Sequence, residues 1–308
     1  MKKTLILKSD RGDFEQYYLE NMIHDNVVTM PFFKKMNKWV RYLSILHIQK
    51  IRFPGCSVWY NKWKKNIIEF DNVIIFDRNY NWNIIKYIHK KNPDCRIIVW
   101  YWNPIGKIKR VPQMYRKYCE EWSFDLDDCR EYQLHYNTQF SFLKQFLSVQ
   151  SLKLEQQFDM YFLGYDKGRM PFIYQIETMM YEEGLKPYFI VVKDSTSKSI
   201  YKYADDVISY KKNIDLLKVS KCILELVQSG QKGLTVRCIE ALFLNKKLIT
   251  NNKDIKNYDF YHPNNILVID QTFNKDILKN FLKKKYVNIP SQLIEKYDFS
   301  GWLNNFNL

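Results

Sequence analysis

The chain has 308 residues, 46% hydrophobic and 17% aromatic, and its 48 Lys and Arg against 33 Asp and Glu give a formal charge of +15. This length suits two domains or one large one, and the apolar share excludes a disordered, low-complexity chain. No apolar run approaches the ~18–20 residues of a membrane span, and the six cysteines show neither a C-x-x-C pair nor zinc-like spacing, so they read as reduced thiols of a cytosolic protein.

Taken in chain order, the basic start Met1-Lys2-Lys3 is followed by a short apolar run at 4–7, which reads as a first buried strand rather than an export signal. A helix follows at 14–23. The stretch 32–53 alternates Lys and Arg with Trp39, Tyr42, Leu43, Ile45, Leu46 and Ile51. Part of it has helical spacing and reads either as a core helix or as a helix lying on a bilayer. Residues 72–76 (NVIIF) and 96–100 (RIIVW) are continuous apolar runs, which suit strands buried on both faces. Between them, 82–89 places Trp82, Ile85, Ile88 and His89 on one helical face, so the unit predicts a right-handed parallel crossover.

The second half repeats the theme. Strands are expected at 160–163, 188–192, 207–209, 222–227, 247–250 and 266–269. Helices are expected at 172–183, stopped by Gly184, at 214–219, at 234–244, and in the tail from 291. The fold class is therefore α/β, with two Rossmann-like domains facing across a cleft: 1–150, 151–290, and a C-terminal helix at 291–308 that returns to the first. The polar stretch at 148–157 is the expected linker. Ligands of such sheets bind beyond the carboxyl ends of the strands.

Two segments carry anion-binding chemistry. In the first, the strand CILELV runs into a loop that holds Gly230 and Gly233, and the loop opens a helix for which Thr235 is the expected N-cap. Backbone N–H groups at Gly233, Leu234 and Thr235 and the positive helix end form an anion site. Arg237 lies one turn before Glu240. Arg237 can contact phosphate, and the Glu240 carboxylate can accept two bonds from a ribose diol. The other reading is an ordinary capped helix with an Arg237–Glu240 pair at i, i+3. In the second segment, Gly164-Tyr165-Asp166-Lys167-Gly168-Arg169 leaves the first strand of the second unit. Lys167 and Arg169 there can neutralise a diphosphate, or form a basic surface turn.

The stretch from about 159 to 265, with its glycine loop, Glu on a helix and strand ending in Thr250-Asn251, resembles the nucleotide-sugar-binding half of GT-B glycosyltransferases. More narrowly, Trp122-Ser123-Phe124-Asp125, Tyr136-Asn137-Thr138-Gln139-Phe140 and Lys253-Asp254-Ile255-Lys256-Asn257-Tyr258-Asp259-Phe260-Tyr261 are similar to enzymes of bacterial lipopolysaccharide or capsule synthesis. The resemblance implies a nucleotide diphosphate sugar as donor, its diphosphate near Gly164, Lys167, Arg169, Gly233, Leu234 and Thr235, and its ribose near Glu240. It departs from the pattern at Lys232, where many retaining members carry a second Glu, so inversion and retention both stay open. Inverting transfer needs a general base, and the resemblance puts it in the first domain, where Asp10, Asp13 and Asp77 follow strands.

A rival is the D-x-D pattern Asp125-Leu126-Asp127, by which GT-A glycosyltransferases hold Mn²⁺ or Mg²⁺; it also reads as the acidic first turn of a helix. No Walker A, G-x-G-x-x-G, G-x-S-x-G or H-E-x-x-H motif is present. The expectation is a cytoplasmic glycosyltransferase with no cofactor or metal, acting on a lipid-linked glycan and peripheral to the anionic inner face of the cytoplasmic membrane, not on nucleic acid. The contrasting class is a non-catalytic basic protein that binds membrane or nucleic acid.

Overall fold

Parallel strands buried on both faces need near-continuous apolar sequence, and the chain supplies it twice. The computed structural model describes residues 2–51, 55–77, 82–146, 155–228, 232–270 and 272–308. The chain divides into two units, Met1–Thr138 with Leu303–Leu308, and Gln139–Trp302. Most of the stretch expected as a linker lies outside the described residues.

The first unit is a parallel six-stranded sheet in the order β2-β1-β3-β4-β5-β6. Its strands are β1 (Thr4–Lys8), β2 (Val27–Pro31), β3 (Asn72–Phe76), β4 (Arg96–Tyr101), β5 (Glu120–Ser123) and β6 (His135–Tyr136). Every residue of β1 and β3 is buried, with Leu5 beside Val73 and Val73 beside Ile97. The helices are α1 (Asp13–Asn21), α2 (Lys38–Ile45), α3 (Asn83–Lys91), α4 (Gln113–Arg116) and α5 (Leu126–Tyr132). Ile84, Ile85 and Ile88 of α3 are wholly buried.

The second unit is a parallel five-stranded sheet in the order β11-β10-β9-β7-β8. Its strands are β7 (Phe158–Tyr165), β8 (Pro187–Val192), β9 (Ser220–Glu225), β10 (Lys247–Thr250) and β11 (Ile266–Val268), and its helices are α6 (Met170–Glu182), α7 (Tyr210–Lys218), α8 (Val236–Phe243), α9 (Lys275–Lys283), α10 (Ser291–Glu295) and α11 (Phe299–Asn304). Met160 and Phe162 of β7 pack with Ile173, Ile176 and Met180 of α6 and with Leu278 and Phe281 of α9 in one apolar cluster. In each sheet the first strand lies between the second and the third. The strand order therefore reverses at β1/β3 and at β7/β9, the points where open α/β sheets bind ligands.

Three differences from the sequence reading have local causes. The strand expected at 207–209 is loop, because the Ser209 hydroxyl caps α7 by accepting from Lys212 N. β2 is only half-buried along its length and shows no apolar contrast. β5 and β6 are short and polar. Among the described residues no helix is long and apolar enough to cross a membrane.

The tail rejoins the first unit through Arg96. Its guanidinium donates to Glu120 Oε1 at 2.7 Å and Oε2 at 2.8 Å, and to the Phe306 carbonyl at 2.6 Å. The Arg96 bond holds the Glu120 carboxyl below its ordinary range. A depressed carboxyl pKa adds stability above the unfolded value of ~4.3, and that stability is lost as pH falls through the folded value. Glu120→Gln should therefore lower the melting temperature at pH 7 and flatten its fall between about pH 5 and 3; thermal melts across that range check it.

Candidate functional site

The carboxyl edge of β7 and β9 is built around two polar groups. Glu225, the last residue of β9, is only 4% exposed. Its Oε1 accepts from the Thr235 hydroxyl and from Cys238 Sγ at 2.9 Å, and its Oε2 accepts from the Thr250 hydroxyl at 2.6 Å. One buried carboxylate thus ties the end of β9 to the start of α8 and the end of β10. Thr235 is the N-cap of α8, its hydroxyl accepting from Arg237 N at 3.1 Å. With its proton given to Glu225, that hydroxyl has none to offer an anion. Asn251 exchanges bonds with Val227, 2.7 Å from its N–H and 3.1 Å from its carbonyl. Asn252 donates to the Lys232 carbonyl at 3.1 Å. These contacts fix the loop before α8. Gly233 is buried and Leu234 is wholly so, anchoring it from below. Ser229, Gly230 and Gln231 lie outside the described residues.

The second group is Arg169. Its guanidinium donates to the carbonyls of Asp166 at 3.1 Å, Tyr165 and Leu226, and lies over the Phe162 ring at 5.5 Å. It braces β7 against β9 where the strand order reverses. Three carbonyls engage a side chain with five N–H donors, so its charge stays at the edge while most of its bonding capacity is committed. A Cβ at Gly164 would stand 3.2 Å from Arg169 Nη2 and 3.2 Å from the Phe162 ring, so any larger residue there would press on the brace by a few tenths of an ångström. Lys167 (φ 49°) and Gly168 (φ 75°) form a left-handed turn. Their N–H groups donate to Asp194 Oδ2 at 2.8 Å and Thr196 Oγ1 at 2.7 Å, and the Lys167 side chain is exposed. Asp166 caps α6 by accepting from Met170 N at 2.9 Å.

Glu240 is 1% exposed. It accepts from Tyr210 Oη at 2.5 Å and from Arg237 Nη1 at 2.9 Å, and Arg237 also donates to Asn213 Oδ1 at 3.0 Å. Burial pushes the Glu240 carboxyl up against the pull of Arg237 and Tyr210. The i, i+3 pair is thus the arrangement that forms, and a diol partner at Glu240, or phosphate at Arg237, requires that pair to part.

In the first unit, Asp10 lines a cavity of about 530 Å³. Asp13 is the exposed first residue of α1. Asp77 Oδ2 accepts from Asn103 N at 2.8 Å and Asn103 Nδ2 at 2.9 Å, which ties the ends of β3 and β4 together as a structural brace. The D-x-D segment forms the acidic first turn of α5. Asp125 is a buried N-cap accepting from Asp127 N at 2.9 Å, while Asp127 faces Arg130 at 3.6 Å. Among the described residues no cluster of three or more metal-ligating side chains is gathered.

Glu225, Asn252, Asn213 and Tyr210 were not singled out from sequence. Glu225 alone left a signal, a carboxylate at the end of an apolar run just before a glycine loop.

No family model matches the sequence, and no curated protein sequence matches it. Solved structures do match. An alpha-glucosyltransferase in complex with UDP and a 13-mer DNA aligns at TM-score 0.62 and 9% identity, over 100% of this chain and 99% of that one. AviGT4, a glycosyltransferase involved in avilamycin A biosynthesis, aligns at 0.59 and 8%, over 100% and 96%. HepE of Anabaena in complex with UDP aligns at 0.52 and 9%, over 100% and 98%. The chain therefore has two parallel-sheet α/β domains of the GT-B fold, and the GT-A alternative is set aside.

Glu225→Ala removes the acceptor of three donors, those of Cys238 and Thr250 buried and that of Thr235 partly so, and should destabilise the second domain by about 3 kcal/mol at ~1–3 kcal/mol for each fully buried donor. Glu225→Gln should cost less, and urea denaturation followed at both variants measures the difference.

Proposed function

We propose that this chain is a metal-independent glycosyltransferase that moves a sugar from a nucleotide diphosphate sugar to a lipid-linked glycan in bacterial surface-polysaccharide synthesis. The observation that carries this reading is the fixed amino end of α8 beside the β7/β9 reversal, in a chain of GT-B fold. On this reading the diphosphate lies against the loop of Gly233, Leu234 and Thr235, with the positive helix end behind it. Lys167 supplies an exposed cation and Arg169 a fixed one. As the bond from the anomeric carbon to the diphosphate breaks, the electron pair leaves with the diphosphate. Preorganised positive charge there stabilises the developing anion without reorganisation.

If the transfer inverts, Asp10 is the favoured base, since it lines an open cavity while Asp77 is held by Asn103. It takes the proton of the acceptor hydroxyl as that oxygen bonds to the anomeric carbon.

The test is thermal shift with UDP, GDP, CMP and dTDP in excess EDTA. One nucleotide should raise the melting temperature, and Lys167→Ala should weaken it by roughly tenfold through loss of a charge-assisted contact. Failure of every nucleotide to stabilise the protein overturns the reading.

Helix α2 supports contact with an anionic membrane. Trp39, Tyr42 and Leu43 are 80%, 60% and 57% exposed, and sit at i, i+3 and i+4 among Lys34, Lys35, Lys38 and Arg41. This is a peripheral, interfacial arrangement, with apolar side chains for the acyl boundary and cations for the headgroups. Sedimentation with phosphatidylglycerol vesicles should carry the protein down at low salt. Trp39→Ser should reduce this severalfold, and neutral phosphatidylcholine vesicles should fail to retain it.

A further inference from the structure

The cavity in the first unit has chemistry of its own. Its walls are the β1–α1 loop, carrying Asp10 and Arg11, and the segment after β2, carrying Phe33, Lys34 and Lys35, with Arg41 reaching it from α2. Four cations face one carboxylate. Among the described residues no carboxylate pairs with Lys34, Lys35 or Arg41. Folding has thus gathered Lys34, Lys35 and Arg41 at one concave surface without a carboxylate partner among the described residues, which focuses a positive field there. The field is felt nearby: the Lys64 ammonium is pushed below its ordinary range by burial and then by Lys34 and Lys65.

The walls are also held in place. Lys34 N donates to the Trp59 carbonyl at 3.1 Å, and the Phe32 carbonyl accepts from Trp63 Nε1 at 3.0 Å. Arg11 N donates to Ser9 Oγ at 3.2 Å. Gly12, at φ 101°, is the N-cap of α1 and brings no side chain to cover the helix end. The volume, about 530 Å³, is within the ~300–1,000 Å³ of ligand pockets and exceeds what one phosphate fills.

We propose that this cavity is an anion subsite for a phosphate or diphosphate group, with room beside it for the adjoining part of the same molecule. Resting on the transferase reading, that molecule is the acceptor: Lys34, Lys35 and Arg41 grip its phosphate while its hydroxyl approaches Asp10. A singly charged carboxylate uses less of this surface than a diphosphate, and a neutral glycan uses none of it.

The experiment is NMR titration of the full chain, saturated with whichever nucleotide it binds so that the second domain does not compete. The probes are inorganic pyrophosphate, geranyl diphosphate and geraniol. Amide signals at 9–13 and 33–36 should move with both phosphates and stay still with geraniol. Lys34→Ala with Lys35→Ala and Arg41→Ala, all at exposed positions, should weaken both by about tenfold or more. Geranyl diphosphate binding more tightly than pyrophosphate identifies a lipid-borne phosphate; equal affinity identifies a free phosphorylated molecule. Silent amides, or undiminished affinity in the triple variant, overturn the proposal. If no nucleotide binds but these amides still respond, the anion subsite stands and only its acceptor role falls.

Discussion

A polar or charged group taken out of water must be answered by donors or by an opposite charge, or its burial works against the fold. Glu225 meets that demand with three donors from three elements, and the demand fixes where α8 begins. A helix amino end binds an anion only if its first turn is held still and faces outward. Here the hydroxyl that caps the turn is itself held by a strand-end carboxylate. The same rule governs the first domain, where Lys8 at the end of β1 pairs with Glu15 of α1 in a buried salt bridge. Four aromatic rings (Phe14, Tyr18, Phe76 and Trp102) stand within 6.0 Å of its ammonium. That pair seats α1 over β1 and so sets the course of the loop bearing Asp10 and Arg11.

The central strands were readable because burial on both faces leaves no room for polar side chains. β3 and β4 fall on the runs NVIIF and RIIVW. The edges were not: β2 is half-buried, and β5 begins with Glu120 and Glu121, whose charges are answered by Arg96 and Arg110 from elsewhere in the chain. A local window contains no trace of such partners. The site divides in the same way. The helix cap at Thr235 was legible because capping is local. Arg169 as a brace was not, because the carbonyl of Leu226, 57 positions along the chain, is brought near only by the β7–β9 pairing. Glu240 and Arg237 presented two readings of one spacing, and only burial with Tyr210 and Asn213 distinguishes them.

The charge of +15 is unevenly committed. Lys247 spends its ammonium on the carbonyl end of α9, reaching Phe281 at 2.6 Å and Leu282 at 2.9 Å. Lys246 is pushed down to about 8 by burial. Such lysines behave as structural donors and contribute little to an external field. The residues between Phe32 and Leu43 do the opposite. Phe32 is buried as an anchor, whereas Lys34, Lys35, Trp39, Arg41, Tyr42 and Leu43 are left exposed, three of them large and apolar. Exposed apolar area and unanswered like charges both oppose folding, so their coincidence in one short segment is not accounted for by the stability of the domain. On the proposed reading each liability is relieved by the same event. A phosphate in the cavity answers the cations, and a bilayer against α2 covers the rings. Because α2 carries both Arg41, which lines the cavity, and the exposed rings on another face, on this reading a ligand that orders the helix from one side favours binding at the other, so the two contacts are thermodynamically linked.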